Sequence, residues 1–386
     1  MRIAYFTESL PPLTDGVART YTWLAQALAE AGDDFRFVSP LAPAEAEPWR
    51  GRVLKQASMA FPLYRYYRIA LPWPPRLYRE LDAFAPQLVQ VAAPTPLGWA
   101  GIHYARRRGL PVVSSYHTHF TDYFRYYGLG FLEGAGWELL RRFHNATDRT
   151  YAPSPGTLAR LEAEGIQRLE LWERGLDAAR FSPGFASAGE RARWCAPDEL
   201  LLLYAGRLVA DKDLRVLAHA LDLARQRGLR LRTVFAGDGP LRQELQARLP
   251  QDHFPGFVHG DALSRLYASA DLFAFPSPNE TFGNVVLEAM ASGLPVLAVN
   301  AGGPADLVQH GRSGWLSAPG DAAAFSRALL RLASDPGLRR SLAAHGLARA
   351  QRYHWREVHG RLRASYATLL AAREAAGAPA GLVEVR

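Results

Sequence analysis

Short apolar runs separated by helical segments recur twice along this chain of 386 residues, and that repetition restricts the fold more than any single motif. In the first half, Ile3-Ala-Tyr-Phe6, Phe35-Arg-Phe-Val38, Leu88-Val-Gln-Val91 and Val112-Val-Ser-Ser115 read as strands. Between the first two, Val17, Tyr21, Leu24, Ala25 and Leu28 mark one face of a helix that Gly32 ends. The second half starts the pattern again with Leu200-Leu-Leu-Leu-Tyr204, Thr233-Val-Phe-Ala236, Leu272-Phe-Ala-Phe275 and Pro295-Val-Leu-Ala-Val299. Continuously apolar strands alternating with helices predict parallel sheets, so the fold class is α/β with two doubly wound halves. Periodicity breaks near residues 170 to 190, at Arg174-Gly-Leu-Asp177 and Phe181-Ser-Pro-Gly184. That places an N-terminal domain over 1–175 and a C-terminal domain over 176–356. A last helix over about 357–376 is followed by a loose tail, Gly377-Ala-Pro-Ala-Gly381.

The side-chain inventory narrows the chemistry. Cys195 is the only cysteine, which excludes internal disulfides and cysteine-rich zinc clusters and fits a reducing cytoplasm. Met1-Arg-Ile-Ala-Tyr-Phe lacks the layout of a signal segment, and no apolar run approaches the ~18 residues of a membrane span, so a soluble or peripheral chain is expected. Only two of the 45 basic residues are lysines, Lys55 and Lys212, which points to a strong bias toward arginine and makes each surviving ammonium worth inspecting. The net charge of +8 suits anionic partners: nucleotides, phospholipid headgroups or nucleic acid.

The stretch from Asn279 to Met290 carries the most chemical information. Asp271-Leu-Phe-Ala-Phe-Pro276 reads as a buried strand and Ser277 to Asn279 as turn residues, which puts Glu280 in a strand-to-helix loop at the carboxyl edge of a sheet, where open α/β sheets bind ligands. A helix opening near Phe282-Gly283 presents unpaired N–H groups and a positive dipole end to a phosphate. Glu288 follows Glu280 by eight positions, about two turns on at ~3.6 residues per turn. Glu280 is then placed for sugar hydroxyls and Glu288 for ribose hydroxyls; an ordinary helix with two surface glutamates fits the spacing equally.

Other candidates are weaker alone. Gly16, after Asp15, allows close backbone approach to a ligand or simply makes a helix-entry turn. Arg207 and Lys212, in Gly206-Arg-Leu-Val-Ala-Asp-Lys212, reach one diphosphate from a loop or stand as solvated charges. Asp211-Lys-Asp213 imitates a metal-binding acid pair, but the lysine between them already supplies positive charge, so no metal is expected. Tyr116-His117-Thr118-His119 follows a strand, without a third metal ligand at convincing spacing. Gly128-Leu-Gly130 and Gly237-Asp-Gly239 complete neither a dinucleotide fingerprint nor a Walker A loop, and no Gly-x-Ser-x-Gly is present. Between Trp49 and Arg79 lie seven basic residues, seven aromatics and no acid. That mixture fits an anionic membrane surface, single-stranded nucleic acid, or a Pro-interrupted helical pair with aromatics in its core.

Taken together, Asp15-Gly16-Val-Ala-Arg-Thr, Ser115-Tyr-His-Thr-His, Tyr126-Tyr-Gly-Leu-Gly, Arg174-Gly-Leu-Asp177, Gly206-Arg-x4-Lys212 and Glu280-x7-Glu288 resemble the family 4 retaining glycosyltransferases over nearly the whole chain. Within that family the pattern is most similar to the GDP-mannose-dependent α-mannosyltransferases and the sulfoquinovosyl or glucuronosyl glycolipid synthases. The resemblance implies two Rossmann-like domains facing across a cleft, the type B fold, with the nucleotide in the C-terminal half, the acceptor in the N-terminal half and the last helix crossing back. It assigns the diphosphate to Arg207 and Lys212, ribose to Glu288, and the transferred sugar to Glu280 and the Phe282-Gly283-Asn284 segment. Gly16 approaches the donor, Val258 touches the base, and His117 lies near the reacting carbon. His119 stands where the branch often has Asn, and Asp15 where it often has Asn or Gly, which bears on acceptor choice. The expected reaction moves a hexosyl unit, with GDP-mannose favoured over a UDP-hexose, to a lipid or glycan. It requires no cofactor, metal or nucleic acid, and it takes place in the cytoplasm or at the inner face of the plasma membrane. A sugar-nucleotide epimerase, a pyridoxal-phosphate phosphorylase and a basic membrane-binding module are the competing readings.

Overall fold

A computed structural model of the chain describes residues 1–13, 15–45, 47–61, 64–126 and 128–375. The tail at 377–381, the last position of the helix expected to reach 376, and Tyr127 of the Tyr-Tyr-Gly-Leu-Gly motif lie outside the described residues. Two compact units emerge: the first holds Met1–Thr121, Phe131–Gly175 and the segment from Trp355, and the second holds Asp122–Gly130 and Leu176–His354.

The first unit is built on a parallel seven-stranded sheet, with β1 (Arg2–Phe6), β2 (Asp34–Ser39), β3 (Val53–Lys55), β6 (Leu88–Val91), β7 (Val112–Ser115), β8 (Arg149–Ala152) and β9 (Leu169–Leu171) in the order β3-β2-β1-β6-β7-β8-β9. A separate antiparallel pair, β4 (Ser58–Phe61) and β5 (Tyr64–Ala70), fills the gap after β3. Register aligns Ile3 with Leu88 and Phe6 with Val91, so the apolar runs of β1 and β6 meet along their length. Both strands are buried at every position but Arg2, which is why they read as continuous apolar runs rather than as alternation.

The second unit repeats the plan with six parallel strands: β10 (Leu200–Ala205), β11 (Leu231–Ala236), β12 (His253–Gly256), β13 (Leu272–Phe275), β14 (Val296–Val299) and β15 (Trp315–Ser317), ordered β12-β11-β10-β13-β14-β15. The strand order of each sheet changes direction once, between β1 and β6 in the first unit and between β10 and β13 in the second, the place where open α/β sheets bind ligands.

The closing helix, Trp355–Ala375, belongs to the first unit, where Trp355 stacks on Trp23 of helix Gly16–Glu30 with ring centroids 5.6 Å apart. Arg356 pairs with Glu30 at 3.0 Å, and Tyr151 shares a 2.7 Å hydrogen bond with Ser365. Residues 49–79 are mostly strand, not a helical pair: β3, the β4–β5 hairpin, then helix Pro74–Phe84. The aromatics of this stretch divide. Trp49 is buried, Tyr78 donates to the Ala100 carbonyl at 3.1 Å, and Trp73 is 70% exposed. Among the described residues no helix is long and apolar enough to cross a membrane.

Candidate functional site

At the reversal point of the second sheet, the loops after β10 and β13 lie side by side. The first holds Gly206 and Arg207, and backbone bonds continue the ladder past the strand ends: Gly206 N–H to Ala236 O at 3.1 Å and Leu208 N–H to Asp238 O at 2.9 Å. Two glycines permit this approach. A Cβ on Gly237 would lie 1.8 Å from the Gly206 oxygen, and one on Gly239 would lie 2.4 Å from the Leu208 oxygen. The Gly237-Asp-Gly239 fragment therefore supports the Arg207 loop. Tyr204 clamps it further, its hydroxyl donating to the Arg207 carbonyl at 3.0 Å, while the Arg207 side chain is exposed.

Lys212 closes the short 3₁₀ turn Ala210–Lys212 and is only 8% exposed. Its Nζ lies 2.8 Å from Glu280 Oε1 and 3.0 Å from Asp211 Oδ2, so a salt bridge joins the loops after β10 and β13. Glu280 is fixed twice more: the Ser277 hydroxyl approaches Oε1 at 3.4 Å and the Gly303 N–H donates to its carbonyl at 2.7 Å. A Cβ on Gly303 would meet Phe282 backbone atoms at 2.2 to 2.3 Å, so only glycine lets the loop after β14 pack there. Phe282 is buried against Tyr353, ring centroids 5.8 Å apart. Gly283 adopts φ 94°, a left-handed conformation suited to glycine, and helix Asn284–Ala291 begins immediately after it with no side-chain cap. The sequence pattern thus locates the helix start correctly.

The alternative of two surface glutamates does not hold for Glu288, which is 2% exposed and accepts from the Tyr267 hydroxyl at 3.0 Å through Oε2. Val258 follows β12 and is partly buried against the core of this unit. That strand is the edge of the sheet, two strands from β10. Arg207, Lys212, Glu280, Phe282 and Gly283 therefore lie on the segments that follow β10 and β13, Asn284 and Glu288 lie on the helix that continues the second of these, and Val258 follows a different strand. Of the Asp211-Lys-Asp213 acids, Asp211 pairs with Lys212. Among the described residues no group of three His, Cys, Asp or Glu side chains is arranged to hold a metal.

In the first unit, Gly16 opens helix Gly16–Glu30 and is exposed. Asp15 is the cap: its Oδ1 accepts from Val17 N–H at 2.9 Å and Ala18 N–H at 2.8 Å, and Ser9 donates to the same carboxylate at 2.8 Å. The negative side chain at a helix N-terminus also complements the macrodipole. His117 follows β7. Its Nε2 lies 2.8 Å from Ser115 Oγ and 3.3 Å from the Tyr21 hydroxyl, and its Nδ1 receives Arg174 Nη2 at 3.0 Å. Burial, then the charge of Arg174, then His144, hold the His117 ring well below the usual histidine range, so it is neutral. His119 is buried against Tyr116, Nδ1 to hydroxyl 3.1 Å, and supports the loop.

Two residues had no role assigned from sequence. Arg174, which serves there as a marker of broken periodicity and as part of the Arg174-Gly-Leu-Asp177 motif, is a buried guanidinium touching His117. Glu8, on the loop leaving β1, is 2% exposed with Oε1 unpartnered among the described residues. Burial pushes its carboxyl up to about 7, against the opposing effect of a hydrogen bond with Thr95. Nothing in local sequence distinguishes Glu8 from a surface glutamate; the signal is its place just beyond a fully apolar strand.

Comparison with known proteins agrees with this geometry. Residues 14–180 match the model described as Glycosyltransferase Family 4, and residues 199–335 match Glycosyl transferases group 1. The GDP-mannose-dependent alpha-mannosyltransferase of Mycobacterium tuberculosis is 36% identical over 83% of this chain and 85% of its own length. The sulfoquinovosyl transferase of Arabidopsis thaliana is 32% identical over 94% of this chain and 72% of its own. Among solved structures, a sucrose-phosphate synthase from Thermosynechococcus elongatus superposes with a TM-score of 0.79 at 24% identity, covering 96% of this chain and 99% of that one. The Anabaena HepE protein in complex with UDP and glucose gives 0.75 at 18% identity, covering 95% and 99%. The chain belongs to glycosyltransferase family 4 and is a hexosyltransferase with the type B fold.

Proposed function

We propose that this enzyme transfers a mannosyl unit from GDP-mannose, with retention of anomeric configuration, to a lipid or glycan acceptor. The observation that carries the reading is the salt bridge between Lys212 and Glu280 across the sheet reversal, beside an uncapped helix start. A nucleoside diphosphate-sugar needs cations for its pyrophosphate and acceptors for its hydroxyls, and this loop pair supplies both within 2.8 Å of each other. Lys212 and Arg207 neutralise the charge that builds on the departing diphosphate, and the N–H groups at Asn284 add an oriented dipole. Such preorganised groups lower barriers by several kcal/mol. Glu280 accepts from the sugar, Glu288, held by Tyr267, accepts from the ribose, and Val258 borders the base. Gly16 and His117 are the first unit's own functional groups in this reading. The diphosphate is neutralised by side chains, so the reaction proceeds without a metal, and EDTA leaves the rate unchanged.

GDP-mannose is favoured by the mycobacterial relatives, at 36% identity over more than four-fifths of this chain. A UDP-sugar glycolipid synthase is the second reading, supported by the Arabidopsis relative. Melting-temperature shifts against GDP- and UDP-sugars decide between them, because a ligand that binds only the native state raises its melting point. A lipid acceptor at an anionic cytoplasmic membrane surface follows from exposed Trp73 beside the basic residues of 49–79. It fails if only soluble acceptors are glycosylated and anionic vesicles are ignored. Lys212→Ala and Glu288→Ala each cut turnover at least about tenfold, the loss of a charge-assisted hydrogen bond. Near-normal transfer by both removes the assignment.

A further inference from the structure

We infer that Arg174 is a positioning residue: its guanidinium fixes His117 as the neutral, Nε2-protonated tautomer, so that the ring meets the reaction as a hydrogen-bonding group and not as a proton shuttle. This rests on the reading that His117 serves the transfer.

The argument is one of donor and acceptor parity. A guanidinium carries five N–H donors and no acceptor. Arg174 spends them on the Trp172 carbonyl at 3.0 Å, the Tyr116 carbonyl at 3.4 Å and His117 Nδ1 at 3.0 Å. Its central carbon also lies 5.1 Å from the Trp172 ring centroid. Since both partners would otherwise be donors, Nδ1 must present its lone pair, and the one proton of a neutral imidazole sits on Nε2. That nitrogen faces Ser115 Oγ at 2.8 Å. Ser115 Oγ also accepts from the Gln90 amide at 3.1 Å, and the Gln90 oxygen in turn accepts from the Tyr366 hydroxyl, which fixes the amide orientation. The Tyr21 hydroxyl lies 3.4 Å from Ser115 Oγ and 3.3 Å from His117 Nε2, and it accepts the Ser115 proton when Nε2–H and the Gln90 amide both donate to Oγ.

Arg174 is 5% exposed and has no carboxylate partner among the described residues. An unpaired buried cation is costly, and a purely structural site would be better filled by an apolar chain or an ion pair. Protonating His117 would set a second cation 3.0 Å from the first. Arg174 and His144 both oppose a positive charge on the ring, and the Tyr21 hydroxyl lies 3.3 Å from Nε2.

The test is long-range proton–nitrogen correlation of ¹⁵N-histidine in the full-length protein, with His117→Asn for assignment. The wild type is expected to show the Nε2–H pattern unchanged from about pH 5.5 to about pH 8.5. Arg174→Met removes the donor that demands a lone pair at Nδ1, so an Nδ1–H population appears in its spectrum, while burial, the larger cause, keeps the ring neutral across the window. Its turnover falls roughly tenfold at every pH tested, as the ring leaves the orientation that the reaction uses. Arg174→Lys keeps a charged donor and the wild-type tautomer. An Nδ1–H pattern or a titrating ring in the wild type overturns the inference, as does a pure Nε2–H pattern in folded Arg174→Met. If that variant does not fold, the wild-type and Arg174→Lys spectra still decide. Because the spectra need no substrate, a failed donor assignment at Lys212 and Glu288 leaves this outcome separately readable.

Discussion

Gly237→Ala tests whether close approach of two loops positions Arg207. An added Cβ would stand 1.8 Å from the Gly206 oxygen and 2.9 Å from its carbonyl carbon, both backbone atoms that cannot rotate away. Ordinary non-bonded separation is about 3.5 Å, so the loops must part by about 1.7 Å. That gap breaks the 3.1 Å Gly206–Ala236 and 2.9 Å Leu208–Asp238 backbone bonds. At about 1 kcal/mol net for each bond, and with overpacking strain of about 1 kcal/mol, the variant loses about 3 kcal/mol of stability. The functional effect is larger in proportion, because misplacing a substrate-positioning group by about 1 Å costs on the order of 10²-fold in rate. Urea denaturation reads the first quantity and kcat/KM for the sugar nucleotide reads the second. Gly228→Ala is the control. Its φ of 85° carries strain but no atom lies within 4 Å of the added carbon, so it loses about 1 kcal/mol and keeps normal turnover. Wild-type stability together with kcat/KM within about twofold in Gly237→Ala would refute the account of the loop.

Asp15→Ala removes the cap of helix Gly16–Glu30, whose carboxylate accepts from two backbone N–H groups at 2.8 and 2.9 Å. A loss of about 1 kcal/mol in urea denaturation is expected, with Asp15→Asn recovering most of it; equal stability of the Ala variant and wild type would show that the cap is idle. Glu8→Gln addresses the buried carboxyl, pushed from 4.5 up to about 7 by burial. Its folded value exceeds the unfolded one, so the wild type loses stability as pH rises from about 4.5 to about 7, by about 3 kcal/mol in all at 1.36 kcal/mol per unit. Glutamine does not ionise, so the difference in stability between the two proteins should grow by that amount between acid and about pH 8. Parallel stability curves for both proteins across this range would contradict the burial argument.

The central strands were legible in sequence because they are buried on both faces. Leu200-Leu-Leu-Leu-Tyr204, Leu88-Val-Gln-Val91 and Val112-Val-Ser-Ser115 read as apolar runs whatever surrounds them. The strands that sequence reasoning missed are short or polar. β9 and β15 have three residues each, β12 contains Pro255, and β8 begins with Arg149, whose guanidinium is held by Ser365 of the closing helix. Edge strands such as β12 owe their conformation to one neighbour and carry no two-sided burial signal. The hairpin of 58–70 was obscured for a related reason: its basic and aromatic residues follow no clean alternation. For the site, Glu280 and the helix after Gly283 were readable because turn residues, a glycine and an apolar helix stand in a fixed local order. Arg174 and Glu8 were not, because their roles arise from burial beside residues distant in sequence.

Lysine usage joins the two levels. In a chain that uses arginine almost everywhere, Lys55 lies exposed on edge strand β3, whereas Lys212 is buried with two carboxylate oxygens at 2.8 and 3.0 Å. A planar guanidinium presents a rigid fork and could not set one nitrogen between two such oxygens without displacing Asp211 or Glu280. Arginine is retained where the side chain is exposed, at Arg207, and where several donors are consumed at once, at Arg174. The three cations thus differ in type with their surroundings: an exposed guanidinium, a buried ammonium between two carboxylates, and a buried guanidinium that donates to three acceptors.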